Sequence, residues 1–298
     1  MESERFFTVA PDVKLYYRLS HETERRRPLL VLLHGMASNL TRWSEFLENT
    51  SLKESFDILR VDLRGHGKSF TRARIGMPIW CDDLAKLLDS LGYEKAIFVG
   101  HSLGANIALW FATRYADRLD GICMIDPVFT KALRGSALWI RRCSPIIRAA
   151  AEIVRLLNLF GWRRREIPQR DLRKLDEEVR VRLLGTGKSK EFVQRYTSPL
   201  ADLEYFPTAH YLQESIEITR PIPSAPEPPV PMLALISQAV TFTDTGVTRQ
   251  ALARYPRCEL KILTAYHWPL TEKPTEVRQE IEKWCAQFVT RTTSRLID

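Results

Sequence analysis

Cysteine is sparse in this chain, and nothing in its placement suggests pairing. The five residues (Cys81, Cys123, Cys143, Cys258 and Cys285) are odd in number, widely scattered, and never in a C-x-x-C or Cys/His ligand spacing. That argues against a disulfide framework or a structural zinc and points to a reducing, cytoplasmic setting. Long apolar runs are missing as well. No segment approaches the roughly 20 apolar residues of a transmembrane helix. The charged start Met1-Glu2-Ser3-Glu4-Arg5 has no apolar stretch behind it long enough for a signal peptide. What remains, 298 residues with 45% hydrophobic and 27% charged, suits one sheet-centred domain carrying an insertion. The net charge of +8 is uneven: residues 131 to 220 hold 18 Lys and Arg against 11 Asp and Glu. Such an excess attracts anionic substrates, a membrane surface or an acidic partner. Acids interleaved as in Asp171 to Arg182 favour the plainer reading of a solvated helical face. No motif supports nucleic-acid binding.

Apolar patterning orders the rest. Phe6 to Val9 and Lys14 to Leu19 flank a Pro11-Asp12 turn and predict a hairpin, followed by a charged loop over His21 to Arg27. Leu29 to Leu33 and Phe56 to Val61 read as strands, the first of them apolar throughout, as in a parallel sheet covered on both faces. Between them Trp43 and Phe46 suggest a docking helix, and Trp80 to Leu91 is an amphipathic helix stopped by Gly92. Ala96 to Val99 is a buried strand that stops at Gly100-His101-Ser102-Leu103-Gly104, and Ala105 to Tyr115 carries apolar residues at helical spacing. Ser102 therefore falls in the turn between strand and helix. A nucleophile there needs a strained backbone to lift its Oγ over the sheet, and the flanking glycines remove the Cβ atoms that would clash.

In that setting the G-x-S-x-G pattern resembles the elbow of the α/β-hydrolase family. Two further stretches carry the same resemblance: Asp62-Leu63-Arg64-Gly65-His66-Gly67-Lys68-Ser69 is similar to the family's D-x-R-G-x-G-x-S loop, and His267-Trp268-Pro269-Leu270-Thr271-Glu272-Lys273-Pro274 to its H-W-P-x-x-E-x-P stretch. Tyr266 replaces the glycine usual before that histidine. The resemblance implies an α/β fold with a mostly parallel sheet, helices on both faces and an inserted helical cap. It implies Ser102 as nucleophile and His267 as general base. The backbone N–H groups of Met36, in the His34-Gly35-Met36-Ala37 loop, and of Leu103 would form the oxyanion hole. Arg64 and His66 are expected to brace their glycine-dense loop.

Gly121 to Ile125 is a further strand, delivering Asp126-Pro127 to the rim on which Ser102 stands. From Val128 to Val230 strand signals give way to helical ones, over Ala132 to Arg142, Pro145 to Phe160 and Asp171 to Leu184, before a return linker, Arg220 to Pro231, with six prolines. The expected core is thus 1–127 with 231–298, and the cap 128–230. Arg134, Arg141, Arg148 and Arg155 recur every seven residues, but Pro145 interrupts the stripe they would form. Beyond the linker come a strand at Met232 to Ile236, a helix at Val247 to Ala253, a last strand at Leu260 to Leu263 and a closing helix from Thr275 to Val289.

The third member of the triad is where the chain departs from the family. The family's usual acid position, after the seventh strand, falls on Val240, which cannot hold a histidine by hydrogen bonding. Asp126, and as an alternative Asp244, are the candidate acids; Asp126 is preferred because it ends a strand on the Ser102 rim, whereas Asp244 suits the N-cap of a helix. Met36, Leu103, Trp139 and Trp268 suggest an apolar acyl pocket, with His34 and Gly35 beside it. The expected reaction is hydrolysis of a carboxylic ester or lactone with an apolar portion, without metal or organic cofactor. Alternatives on the same residues are carbon-carbon bond hydrolysis, cofactor-free perhydrolysis, and a binding module without catalysis. Contact of the basic cap with a membrane surface is a further possibility.

Overall fold

The hairpin forms as the sequence predicts: β1 (Glu2–Ala10) pairs antiparallel with β2 (Val13–Ser20), and Asp12 in the turn takes a φ of 61°. A computed structural model describes residues 2–20, 27–223 and 228–294. Most of the expected charged loop (21–26) and the middle of the proline-rich linker (224–227) lie outside the described residues.

Alternation sets the layers. On β3 (Leu29–Leu33), Leu29, Val31 and Leu33 enter one apolar cluster while Leu30 and Leu32 enter another. After α1 (Ser44–Asn49), β4 (Asp57–Val61) runs parallel to β3. Helix α2 (Met77–Leu91) ends at Gly92, whose φ of 71° is the left-handed cap that glycine adopts without penalty. Strand β5 (Ala96–His101) divides the same way, Ala96 and Phe98 to one face, Ile97 and Val99 to the other, and leads into α3 (Leu103–Arg114). β6 (Leu119–Ile125) continues the pattern. A strand whose side chains alternate between two buried clusters must be apolar at every position, which is why these segments read as unbroken runs.

Among the described residues six α-helices then intervene: α4 (Gly135–Arg142), α5 (Ser144–Leu159), α6 (Leu172–Val179), α7 (Ser189–Tyr196), α8 (Pro199–Tyr205) and α9 (Thr208–Ile218). The chain returns to the sheet through β7 (Met232–Ser237), α10 (Thr245–Leu252), β8 (Cys258–Leu263), the short α11 (Pro269–Glu272) and α12 (Pro274–Ser294). Among the described residues eight strands lie in the order β1-β2-β4-β3-β5-β6-β7-β8, with β2 antiparallel to its neighbours and every later pair parallel. The C-terminal ends of β3, β5, β6 and β7 therefore open on one rim.

Helix α9 ties the inserted helices to this rim with buried polar groups. His210 Nε2 lies 2.9 Å from the Ala73 carbonyl, Glu214 accepts from Ala37 N–H (3.2 Å), and Glu217 accepts from Met77 N–H (2.9 Å) at the start of α2. Arg42, paired with Asp176 of α6 and bonded to Thr271 of α11 (2.9 Å), makes a second tie.

Candidate active site

Ser102 sits between β5 and α3 with φ 51° and ψ −109°, a conformation a non-glycine residue holds only when its surroundings force it. Two glycines make the turn possible. A Cβ on Gly100 would lie 2.3 Å from the carbonyl of Gly104, and one on Gly104 would lie 2.5 Å from the Leu33 carbonyl oxygen. Hydrogen bonds from Ser102 N–H to Ile125 O (2.8 Å) and from Asn106 N–H to Ser102 O (3.1 Å) fix the residue at both ends.

His267 faces it from the loop after β8, its Nε2 3.1 Å from Ser102 Oγ. Glu272 holds that loop by accepting from the N–H groups of Tyr266 (3.0 Å) and Trp268 (3.0 Å). His101 holds it from the other side, donating from Nε2 to the His267 carbonyl at 2.8 Å. On the far side of the imidazole, Asp126 Oδ2 lies 3.6 Å from Nδ1, slightly beyond hydrogen-bond length. The carboxylate is anchored by Ser237, whose N–H and O–H both donate to it at 2.6 Å. Asp126 is strained like the serine, with φ 49°.

The other candidate acid is elsewhere. Asp244 caps α10, accepting from Val247 N–H at 2.9 Å, and pairs with Arg134 at 3.2 Å. Val240 is exposed. The structure brings Asp126, and not Asp244, to His267.

The loop carrying Met36 is oriented from behind. His34 is fully buried, with Nε2 accepting from Leu63 N–H (3.1 Å), so the ring proton is on Nδ1 and is donated to Gly35 O (2.8 Å). Fixing that carbonyl fixes the opposite end of the same trans peptide, the Met36 N–H. His34 thus positions the loop rather than lining an open pocket. Gly35 leaves room for the His101 ring, since a Cβ there would lie 3.0 Å from His101 Nδ1. Among the described residues neither Met36 N–H nor Leu103 N–H has a hydrogen-bond partner.

Beneath this loop, His66 Nδ1 donates to Arg64 O (3.2 Å), leaving Nε2 to accept from Glu214 Oε1 at 2.6 Å. With the ring neutral, the proton of this bond belongs to the Glu214 carboxyl. Burial pushes Glu214 well above the usual carboxylate range and brings His66 down to about 4, as a neutral pair requires. Arg64 spans to Asp83 with two bonds (2.7 and 2.5 Å), so both residues brace the loop as expected. Because the folded chain keeps the Glu214 proton longer than the unfolded chain does, its contribution is complete below about 4.5 and is lost as pH rises toward the folded value. Glu214→Gln keeps both hydrogen bonds and cannot ionise. Its stability relative to the parent should grow with pH above about 4.5, by up to about 1.4 kcal/mol per pH unit. Urea unfolding at several pH values checks this, and parallel pH curves would contradict it.

Aromatic rings flank His267: Phe242 at 5.0 Å and Trp268 at 5.5 Å, both edge-on. Trp268 packs with Val179 and Phe192, so α6 and α7 add an apolar wall beside the imidazole. Trp139 does not share in it. Ala137 and Leu138 take the packed side of α4, which turns the next position outward; Trp139 is 64% exposed, with the Arg142 guanidinium 5.6 Å from its ring. Ser237 and His101 escaped the sequence reading, the first because nothing marks a serine at a strand end, the second because it occupies the variable position of the elbow.

A family described by the alpha/beta hydrolase fold matches residues 28–274. The chain is 27% identical to epoxide hydrolase 3 of Xenopus tropicalis over 271 residues, 87% of this chain and 71% of that one. Shorter curated matches near 30% identity cover about a third of each chain. Among solved structures, a thermophilic esterase from Thermogutta terrifontis superposes with a TM-score of 0.64 at 22% identity, over 96% of this chain and 98% of that one. The enol-lactonase from Burkholderia xenovorans LB400 gives 0.68 at 19%, over 95% and 100%. With the strand order, the serine elbow and these matches together, the chain belongs to the α/β-hydrolase fold family.

Proposed function

We propose that the chain is a serine hydrolase that cleaves a carboxylic ester or lactone through an acyl-enzyme on Ser102. The observation that carries this reading is the 3.1 Å contact between His267 Nε2 and the Oγ of a serine held at positive φ. A serine hydroxyl is a weak nucleophile until a base takes its proton as it attacks. His267 takes that proton, the Oγ adds to the ester carbonyl, and the oxyanion is held by the Met36 and Leu103 N–H groups, each worth about 3 kcal/mol where such donors have been removed. Collapse expels the alcohol, protonated by His267. Water then cleaves the acyl-enzyme with His267 again as base, and Asp126 orients the imidazole throughout. Each step uses only protein groups and water.

The elbow residue separates this reading from epoxide opening of the kind that needs a carboxylate nucleophile: a serine forms an acyl ester, not an alkyl one. The apolar wall of Trp268, Phe192 and Phe242 favours an apolar acyl group. A panel of esters graded in acyl and alcohol size tests this. A preference rising with acyl length supports it, and activity confined to charged or very short acyl groups overturns it.

The pH dependence follows from burial. Asp126 is pushed up to about 7, chiefly by desolvation and against the two Ser237 bonds, and His267 is held well below 6.5, chiefly by desolvation. The active pair is ionised Asp126 with neutral His267. Accordingly kcat/KM should rise with pH through a group near 7 and then level. In Asp126→Asn only the His267 limb remains, displaced to lower pH. A profile flat between pH 5 and 9 would contradict the proposal.

A further inference from the structure

Helix α5 wears its apolar residues on the outside. Ile146, Ile153, Leu157 and Phe160, spaced seven, four and three apart, fall on one stripe together with Leu156, and all are exposed, from 37% at Leu157 to 77% at Phe160. Leu159, the last residue of α5, and Trp162 beyond it are exposed as well, at 82% and 77%. A helix on a water-facing surface carries polar residues there, so a continuous apolar stripe needs a cover. Its surroundings say which kind. From Trp139 to Arg165 there are seven arginines and a single acid, Glu152. Two copies meeting through this face would bring like charges together.

A second feature adjoins the stripe. A cavity of 440 Å³ opens beneath Trp162, lined among others by Arg72, Arg155, Arg163, Arg164 and His210. Some of this charge is already engaged. Arg164 donates to the Glu204 and Phe206 carbonyls, and Arg155 pairs with Glu152 and Gln213. Yet Arg155 Nε is buried without a hydrogen-bond partner. Arg72 donates to the Arg164 carbonyl at 2.9 Å, and Arg163 shares the cavity lining with it. Arginine side chains lining one cavity, one of them with an unmet buried N–H, suit a phosphate, whose oxygens guanidinium groups bind in parallel pairs. None of these residues belongs to the Ser102, His267 and Asp126 constellation or to the Met36 loop.

We propose that α5 lies flat on an anionic lipid surface, its apolar stripe entering the acyl boundary while the arginine cavity beside Trp162 takes the phosphate of a lipid headgroup. Surface docking, not spanning, fits the geometry, because among the described residues no helix is long and apolar enough to cross a membrane. Arginines at the flanks add attraction to the anionic leaflet that fades with salt. The proposal is independent of the reaction at Ser102.

Co-sedimentation of the full chain with vesicles tests it. Binding is expected to equimolar phosphatidylcholine and phosphatidylglycerol, weakened by salt, with little to phosphatidylcholine alone. Ile153→Asp with Leu157→Asp should lower the partition coefficient by about tenfold or more, and Arg72→Gln with Arg163→Gln by about tenfold. Near-UV circular dichroism identical to the parent would show that the variants fold. No binding to anionic vesicles, or binding indifferent to both pairs, would overturn the proposal. So would concentration-dependent dimers abolished by Ile153→Asp with Leu157→Asp, which would make a second copy the cover. Thermal stabilisation by glycerol phosphate without vesicle binding would make the cavity a site for a free phosphate and equally overturn it.

Discussion

Ser102→Ala should reduce hydrolysis of a p-nitrophenyl ester to background, a loss of roughly 10⁴ to 10⁶ in kcat, the range seen where a nucleophile acts as a unit with its base. The hydroxyl is the only group removed, and its hydrogen bond is to His267. The backbone anchors at Ile125 and Asn106 are untouched, so alanine can keep the positive φ that serine already bears. Thermal unfolding of the variant should match the parent closely. A folded variant retaining more than about a hundredth of the activity would remove the serine from the mechanism.

Asp126→Asn should lose at least a hundredfold in kcat, against about 10⁴ where the equivalent orienting acid has been replaced elsewhere. The reason lies in hydrogen-bond polarity. In the parent, Ser237 N–H and O–H and the His267 Nδ1 side all address acceptor oxygens. An asparagine has one oxygen and one NH2, so a donor must face a donor, and the imidazole is drawn toward the tautomer with its Nε2 proton directed at the nucleophile. Asp244→Asn should lose less than tenfold, because asparagine caps a helix as well as aspartate does and the Arg134 pair is half-exposed. The reverse ranking would transfer the role to Asp244, and two mild effects would mean a Ser-His dyad.

How legible all this was depended on which signal each residue sends. Runs such as Leu29 to Leu33 announce themselves because both faces of the sheet are covered, and the elbow shows because close backbone approach leaves no room for a Cβ at 100 and 104. Asp126 was readable from its place at the end of a strand, since parallel strands finish on one rim. Helix α9 was not. Its buried side includes His210, Glu214 and Glu217, which satisfy backbone groups of the core instead of packing against apolar neighbours. A reading that looks for apolar periodicity passes over such a helix. The opposite failure occurs on α4 and α5, where Trp139 and Ile153 look like core or pocket from their chemistry and are exposed. Periodicity gives the stripe, and only the packing gives the side that is buried.

The most direct test of the proposed function is to trap the covalent intermediate. Rapid mixing of the chain with excess p-nitrophenyl butyrate, followed by acid quench and peptide mass mapping, should show a burst of about one p-nitrophenolate per chain. One butyryl group should be found on the peptide that contains Ser102, and none in Ser102→Ala. Turnover of the ester with no burst and no acyl group on Ser102, or an acyl group elsewhere on the folded chain, would contradict it.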